Sequence, residues 1–136
     1  MQMTLIKNPD ASHALAYRVA RVVCAQTGAN NLSGVEALTS MIKNLSNASD
    51  VSVDNIIKDK NIFSVLDENS PHHVRMTEPA TSRKFQMCLR VAQRMLSGGL
   101  SDCCFGATRF HHSNEMPLWA TARGYIADID GMLFYV

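Results

Sequence analysis

Three stretches of this chain repeat apolar residues at helical spacing, and all three come before Leu100. Such stripes cover one face of an α-helix. After Gly98 and Gly99 the pattern changes to short β-prone pieces around residues 108–111 and 132–136, separated by a turn-prone stretch. This order predicts an α+β fold that is mainly helical, with a small C-terminal antiparallel β-sheet. The three helical stripes are Leu15, Val19, Val22 and Gln26; Val35, Leu38, Ile42 and Leu45; and Phe85, Cys88, Leu89, Ala92 and Leu96.

Local signals place the ends of these helices. Ser12 can cap a first helix that runs to about Thr27, where Gly28 supplies the left-handed residue that ends it. Ser33 and Glu36 have the spacing of a capping box, which predicts the start of a second helix. A third helix is predicted from about Ser82 to Ser97.

Two segments between the helices are polar or irregular. Residues 44–52 are rich in Ser and Asn, which predicts a loop, and a short helix through Ile56 and Ile57 follows it. Residues 63–79 contain two prolines, paired histidines and scattered charges. A loop of that length inside a small domain is often functional.

Length and charge limit the class of protein. A chain of 136 residues fits one compact domain, 1–136. The 13 Lys and Arg residues nearly balance the 12 Asp and Glu residues, so no large net field attracts nucleic acid or anionic lipid. The four cysteines, Cys24, Cys88, Cys103 and Cys104, are interpreted mostly as reduced core thiols, although a disulfide through Cys103 or Cys104 stays open.

Gln26 is the unusual member of the first stripe, because it puts a polar amide on an apolar helix face. Such a side chain must find hydrogen-bond partners there. It is therefore either a satisfied core amide or part of the wall of a cleft.

The C-terminal third carries the most specific motifs of the sequence. They are Gly106-Ala107-Thr108-Arg109-Phe110-His111-His112, Pro117-Leu118-Trp119-Ala120 and Leu133-Phe134-Tyr135. In order and spacing they resemble the family of cell wall hydrolases typified by the spore-cortex-lytic enzyme SleB. The segments 22–28, 35–38, 63–64 and 92–102 resemble further blocks of that family, so the resemblance covers nearly the whole chain.

The resemblance implies a lysozyme-like fold and a lytic transglycosylase that cleaves the glycan strands of peptidoglycan. In that family one glutamate acts as general acid and then as base, and no cofactor is needed. Gln26 stands at the position of this glutamate, and Cys103-Cys104-Phe105 replaces a more usual Pro-Thr-Gly. An amide matches glutamate in shape but carries no titratable proton, and losing general acid catalysis costs about 10²- to 10⁴-fold in rate. Glu68, Glu78 and Glu115 are alternative carboxylates, each interpreted first as a solvated surface charge.

The same motifs supply candidates for binding substrate. Thr108, His111 and Trp119 are predicted to line a sugar-binding groove, in which the indole offers an apolar face to a pyranose ring. Trp119 as core filling is an equal alternative. If His111 and His112 lie on a strand, their side chains point to opposite faces, so at most one is expected in the cleft. Ser64 is a weaker candidate.

Two rival interpretations follow from the same residues. A zinc hydrolase could use His72, His73, His111, His112, Cys103 and Cys104, but adjacent pairs are poor metal spacing, so no metal site is predicted. The second rival is a non-catalytic peptidoglycan-binding or structural protein that keeps the cleft.

Localisation is harder to derive from the sequence. The first ten residues lack the apolar run of a signal peptide, and no stretch reaches the 18 apolar residues of a membrane span. A wall-degrading protein without a visible export signal would leave the cytoplasm through a lysis pore or travel in a phage-like particle, or the chain would be a trimmed form of a longer protein.

Overall fold

The computed structural model describes residues 14–136. Four α-helices occupy its first part: α1 Ala14–Thr27, α2 Leu32–Ser49, the short α3 Val53–Ile56 and α4 Arg83–Leu96. Three strands follow: β1 Arg109–His112, β2 Ala127–Ile129 and β3 Met132–Tyr135. The α+β class and the small antiparallel sheet predicted from the sequence are confirmed.

Helix α1 lies at the centre, packed against α4, α2 and the segment that follows α3. Its stripe is buried as expected at Val19, Val22 and Gln26, while Leu15 is half-buried. Gly28, with φ of 74°, ends the helix in the left-handed conformation that glycine adopts without strain. The predicted cap Ser12 lies outside the described residues.

Helix α2 differs from the prediction at both ends. Its N-cap is Asn31, whose side chain accepts a hydrogen bond from the backbone N–H of Gly34. Ser33 donates to the Asn31 side chain instead, and Glu36 forms an ion pair with Arg94 at 2.7 Å. The capping box was therefore wrong, because a better cap stands two residues earlier.

The last third of α2, residues 44–49, belongs to the segment 44–52 that was predicted as a loop, and this part of the prediction was wrong. The helix continues to Ser49 and ends at Asp50 in the left-handed conformation, with φ of 57°. Its polar residues are tied down by hydrogen bonds, since Asn44 donates to the carbonyl of Ala107 and Ser49 to that of Leu45. These contacts outweigh the low helix propensity of Ser and Asn.

Helix α4 matches its prediction closely, with Ser82 as N-cap and Ser97 as C-cap. Residues 63–79 form two short 3-10 helices, Ser64–Leu66 and His73–Thr77, joined by turns. A third 3-10 helix, Leu118–Ala120, lies between β1 and β2.

The sheet has the order β1-β3-β2, with both pairs antiparallel. Strand β2 was not predicted, because only three residues pair there. Buried residues of the helices and the sheet form one hydrophobic cluster that includes Phe63, Phe85, Phe110 and Phe134. Within residues 14–136, no helix has the length and apolar character needed to cross a membrane.

All four cysteines are free thiols. Cys24, Cys88 and Cys104 are buried, and burial is the main cause that raises the pKa of Cys104 to about 12. Their interpretation as reduced core thiols agrees with this arrangement.

Candidate functional site

Gln26 is buried near the C-terminal end of α1, where its amide joins three parts of the chain. Its Oε1 accepts a hydrogen bond from the backbone N–H of Val65 at 3.2 Å. Its Nε2 lies 2.9 Å from Nε2 of His112 and 3.5 Å from Oγ of Ser64. The amide is therefore both a satisfied core group and part of a cleft wall, which unites the two roles considered for it.

These contacts indicate which ring nitrogen of His112 carries the proton. Because Oε1 of Gln26 accepts from a backbone donor, Nε2 of Gln26 is the donor toward the imidazole. Nε2 of His112 must then accept, so the ring proton lies on Nδ1 and the imidazole is neutral. Burial of the ring lowers the pKa of His112 below its usual 6.5, and His72 and Arg75 add to this, while Glu115 and the backbone of Gln26 oppose it.

Gln26 borders two cavities, which meet at its side chain. The first, here called the aromatic pocket, has a volume of about 280 Å³. Half of its lining residues have large apolar or aromatic side chains, a composition suited to the faces of sugar rings. Its walls include Gln26, Ser64, Phe110, His111, Glu115 and Trp119.

The second, here called the polar cavity, has a volume of about 790 Å³. Gln26, Ser64 and Glu115 line it as well as the aromatic pocket, so the two cavities form one continuous cleft. Its charged walls are Lys60, Asp67, Arg75, Glu115 and Asp130, with His72 and His112 beside them.

The structure brings three of the four candidate binding residues to Gln26. Ser64 lines both cavities, and His111 and Trp119 line the aromatic pocket. Thr108 is half-buried and borders a neighbouring cavity of about 320 Å³, which shares Trp119 with the aromatic pocket.

An aromatic cluster holds one wall of the aromatic pocket. His111 Nε2 lies 2.7 Å from the hydroxyl of Tyr135, and its Nδ1 lies 2.7 Å from the carbonyl oxygen of His112. The ring of Trp119 meets His111 and Tyr135 edge-on, and the guanidinium of Arg109 sits 5.4 Å from the centre of the indole. Because both ring nitrogens of His111 have hydrogen-bond partners within the protein, His111 is better placed to orient Trp119 than to transfer a proton.

The expectation that at most one of the paired histidines reaches the cleft was wrong. Their rings do lie in different cavities, His111 in the aromatic pocket and His112 in the polar cavity. Both cavities border Gln26, because β1 ends at His112 and the cleft passes around that end.

His112 and Arg75 were missed as site residues from the sequence alone. His112 Nε2 contacts a partner 86 positions away, and no local pattern reports such a distance. Arg75 reaches the site by donating to the carbonyl of Ala25 at 3.4 Å.

Of the three alternative carboxylates, Glu115 lies in the cleft and the other two do not. Glu115 lines both cavities, and its Oε1 accepts from the backbone N–H of His112 at 3.0 Å. Glu68 and Glu78 line neither cavity. Among residues 14–136, no group of three or more His, Cys, Asp or Glu side chains is arranged to hold a metal ion.

Comparison of the chain with protein-family models, curated proteins and solved structures gives no match.

Proposed function

We propose that this chain binds the glycan strands of peptidoglycan in the cleft beside Gln26, as a cell wall hydrolase of the lytic transglycosylase type whose cutting step is silenced. The observation that carries the proposal is the buried amide of Gln26 at the point where the two cavities meet. The proposed fold is lysozyme-like, with the acid position at the end of the first long helix and a small sheet beside it.

Cleavage of a glycosidic bond requires a proton for the leaving oxygen. The amide of Gln26 and a neutral His112 leave the junction without an acidic proton at pH 7. The rest of the cleft keeps features that suit a sugar polymer: Trp119 offers an indole face, and Ser64 offers a hydroxyl beside the amide. Binding without cleavage follows from this combination.

Replacing the amide by a carboxyl group tests the proposal directly. In the variant Q26E, the carboxyl group and His112 would share a proton at the junction, which the native pair lacks. We expect Q26E to release anhydromuropeptides from purified peptidoglycan at least about 100-fold faster than the native chain, the lower range of general acid catalysis. Product analysis by mass spectrometry measures this release.

Binding is measured independently of cleavage. The chain has one tryptophan, so its intrinsic fluorescence reports ligands that enter the aromatic pocket. We expect the native chain and Q26E to bind peptidoglycan tetrasaccharides with similar affinity. The proposal fails if neither chain binds these ligands, and its hydrolase part fails if both bind and neither cleaves.

Glu115 supports a second candidate, an active hydrolase that uses this carboxyl group as its acid. The observation in its favour is that Glu115 is the one carboxylate among the described residues that borders both cavities. In that case the native chain would release anhydromuropeptides and E115Q would abolish the release. The native activity measurement therefore separates the two candidates.

A further inference from the structure

The polar cavity is lined by more charged side chains than the aromatic pocket, although both border Gln26. We infer that the polar cavity is a subsite for the peptide stem of peptidoglycan, a ligand that carries carboxylates, amides and an amine. This inference rests on the proposed function, because it places the glycan in the aromatic pocket next to it. It adds a preference for strands that bear stems over bare glycan.

The two cations of the cavity come from the segment that joins α3 to α4. Lys60 follows α3, and Arg75 lies in the 3-10 helix that crosses the end of α1. Within the described part of the chain, the ammonium of Lys60 makes no hydrogen bond or ion pair. Among the described residues, the guanidinium of Arg75 donates only to the carbonyl of Ala25, which leaves most of its five N–H donors for a ligand.

Of the three acidic side chains in the cavity, Asp67 comes from the same segment as the cations, and Glu115 and Asp130 come from the loops of the sheet. Glu115 follows β1, and Asp130 lies in the turn between β2 and β3. Each already accepts one hydrogen bond, Glu115 from the backbone of His112 and Asp130 from the amide of Asn31 at 2.8 Å. They are therefore held in place and still carry charge toward the cavity.

Charges of both signs around one cavity suit a ligand that is itself zwitterionic. An uncharged sugar gains little from such walls, whereas a stem peptide presents carboxylates to Arg75 and Lys60 and an amine to Glu115 and Asp130. Arg75 also lies close enough to His112 to contribute to its lowered pKa, so the cation stands beside the junction. The peptide stem would branch from the glycan strand beside this junction.

The test compares one tetrasaccharide in two forms, with tetrapeptide stems and after an amidase has removed them and the lactyl carboxylates that this exposes have been capped as amides. Binding of each to the native chain and to the variants R75Q and K60Q is followed by the fluorescence of Trp119. The control variant K58Q removes a cation that pairs with Asp54 outside the cavity. Circular dichroism checks that each variant folds. If R75Q does not fold, K60Q alone tests the subsite.

We expect R75Q and K60Q each to weaken binding of the stem-bearing form by about 2- to 5-fold, the range of exposed ion pairs. Binding of the stripped form should stay unchanged in both, and K58Q should change neither. Equal affinity of the native chain for the two forms, or equal losses for both forms in the variants, would overturn the subsite. If neither form binds the native chain, the proposed function itself fails.

Discussion

At the residue scale, Gln26 and His112 hold each other in one hydrogen-bonding state. The amide donates to the imidazole only while Nε2 of His112 carries no proton, because a protonated ring and the amide nitrogen are both donors. The native pair therefore favours a neutral imidazole, in the same direction as burial. A carboxylate at position 26 would favour the imidazolium instead.

This difference predicts a change of sign in the pKa shift of His112. In the native chain the pKa of His112 is lowered from 6.5, so the unfolded state binds more protons near pH 6 and stability falls as the pH drops through this range. In Q26E the pKa of His112 should rise above 6.5, because the carboxylate stabilises the charged ring. The imidazole then contributes stability that is complete below pH 6.5 and is lost as the pH rises through the folded pKa.

Nuclear magnetic resonance titration of the histidine ring protons measures both values. The variant H112Q assigns the resonance of His112 in these spectra. An unchanged pKa of His112 in Q26E would contradict the contact between positions 26 and 112.

The sequence could place Gln26 but not its partners. Its position on the stripe Leu15, Val19, Val22 predicted burial, since helical periodicity is a local property. Val65 and His112 are separated from it by 39 and 86 positions. Contacts at such separations depend on how the helices and the sheet pack, which one sequence does not encode in any local pattern.

At the element scale, the start of α2 shows how neighbouring polar residues compete for one cap. Only Ser33 was predicted as the cap, from its capping-box spacing with Glu36, whereas the structure shows Asn31 in that role. Asn31 wins because its side chain both caps Gly34 and donates to Asp130, 99 positions away. Both ends of α4 were predictable from local signals, whereas the start of α2 depended on this distant partner.

Replacing each candidate cap by alanine distinguishes them. We expect N31A to lower the free energy of unfolding by about 1 kcal/mol, the usual cost of losing an N-cap. S33A removes only the hydrogen bond from Ser33 to Asn31, so its cost should be smaller. Urea unfolding followed by circular dichroism gives both values, and a larger loss in S33A would show that Ser33 is the effective cap.

At the scale of the whole molecule, the cleft depends on the close approach of the helices to the C-terminal sheet. Its walls come from α1, from the segment after α3 and from the turns of the sheet. The order of helices and strands was predictable from the change in periodicity after Gly99. How the helices pack against the sheet was not predictable, because their distance depends on individual small residues and on individual side chains of the turns.

Gly34 is such a point, since it is buried where α2 meets the turn between β2 and β3. A Cβ atom at this position would overlap the carboxyl group of Asp130 and would lie 2.9 Å from its Cβ. One of the overlapping atoms is the Cβ of Asp130, which cannot move away by rotation of the side chain. The backbone of the turn must therefore move. Asp130 borders the polar cavity, and such a movement would change one wall of the cleft.

The variant G34A should therefore lower the free energy of unfolding by about 1 to 3 kcal/mol, as overpacking does. In a D130G background the obstructing side chain is absent, and glycine accepts the positive φ of 53° at that position. There G34A should become neutral or stabilise by up to about 1 kcal/mol, because alanine favours helix over glycine. A double-mutant cycle by urea unfolding measures this reversal. Equal effects of G34A in the two backgrounds would mean that Asp130 does not set the distance between α2 and the sheet.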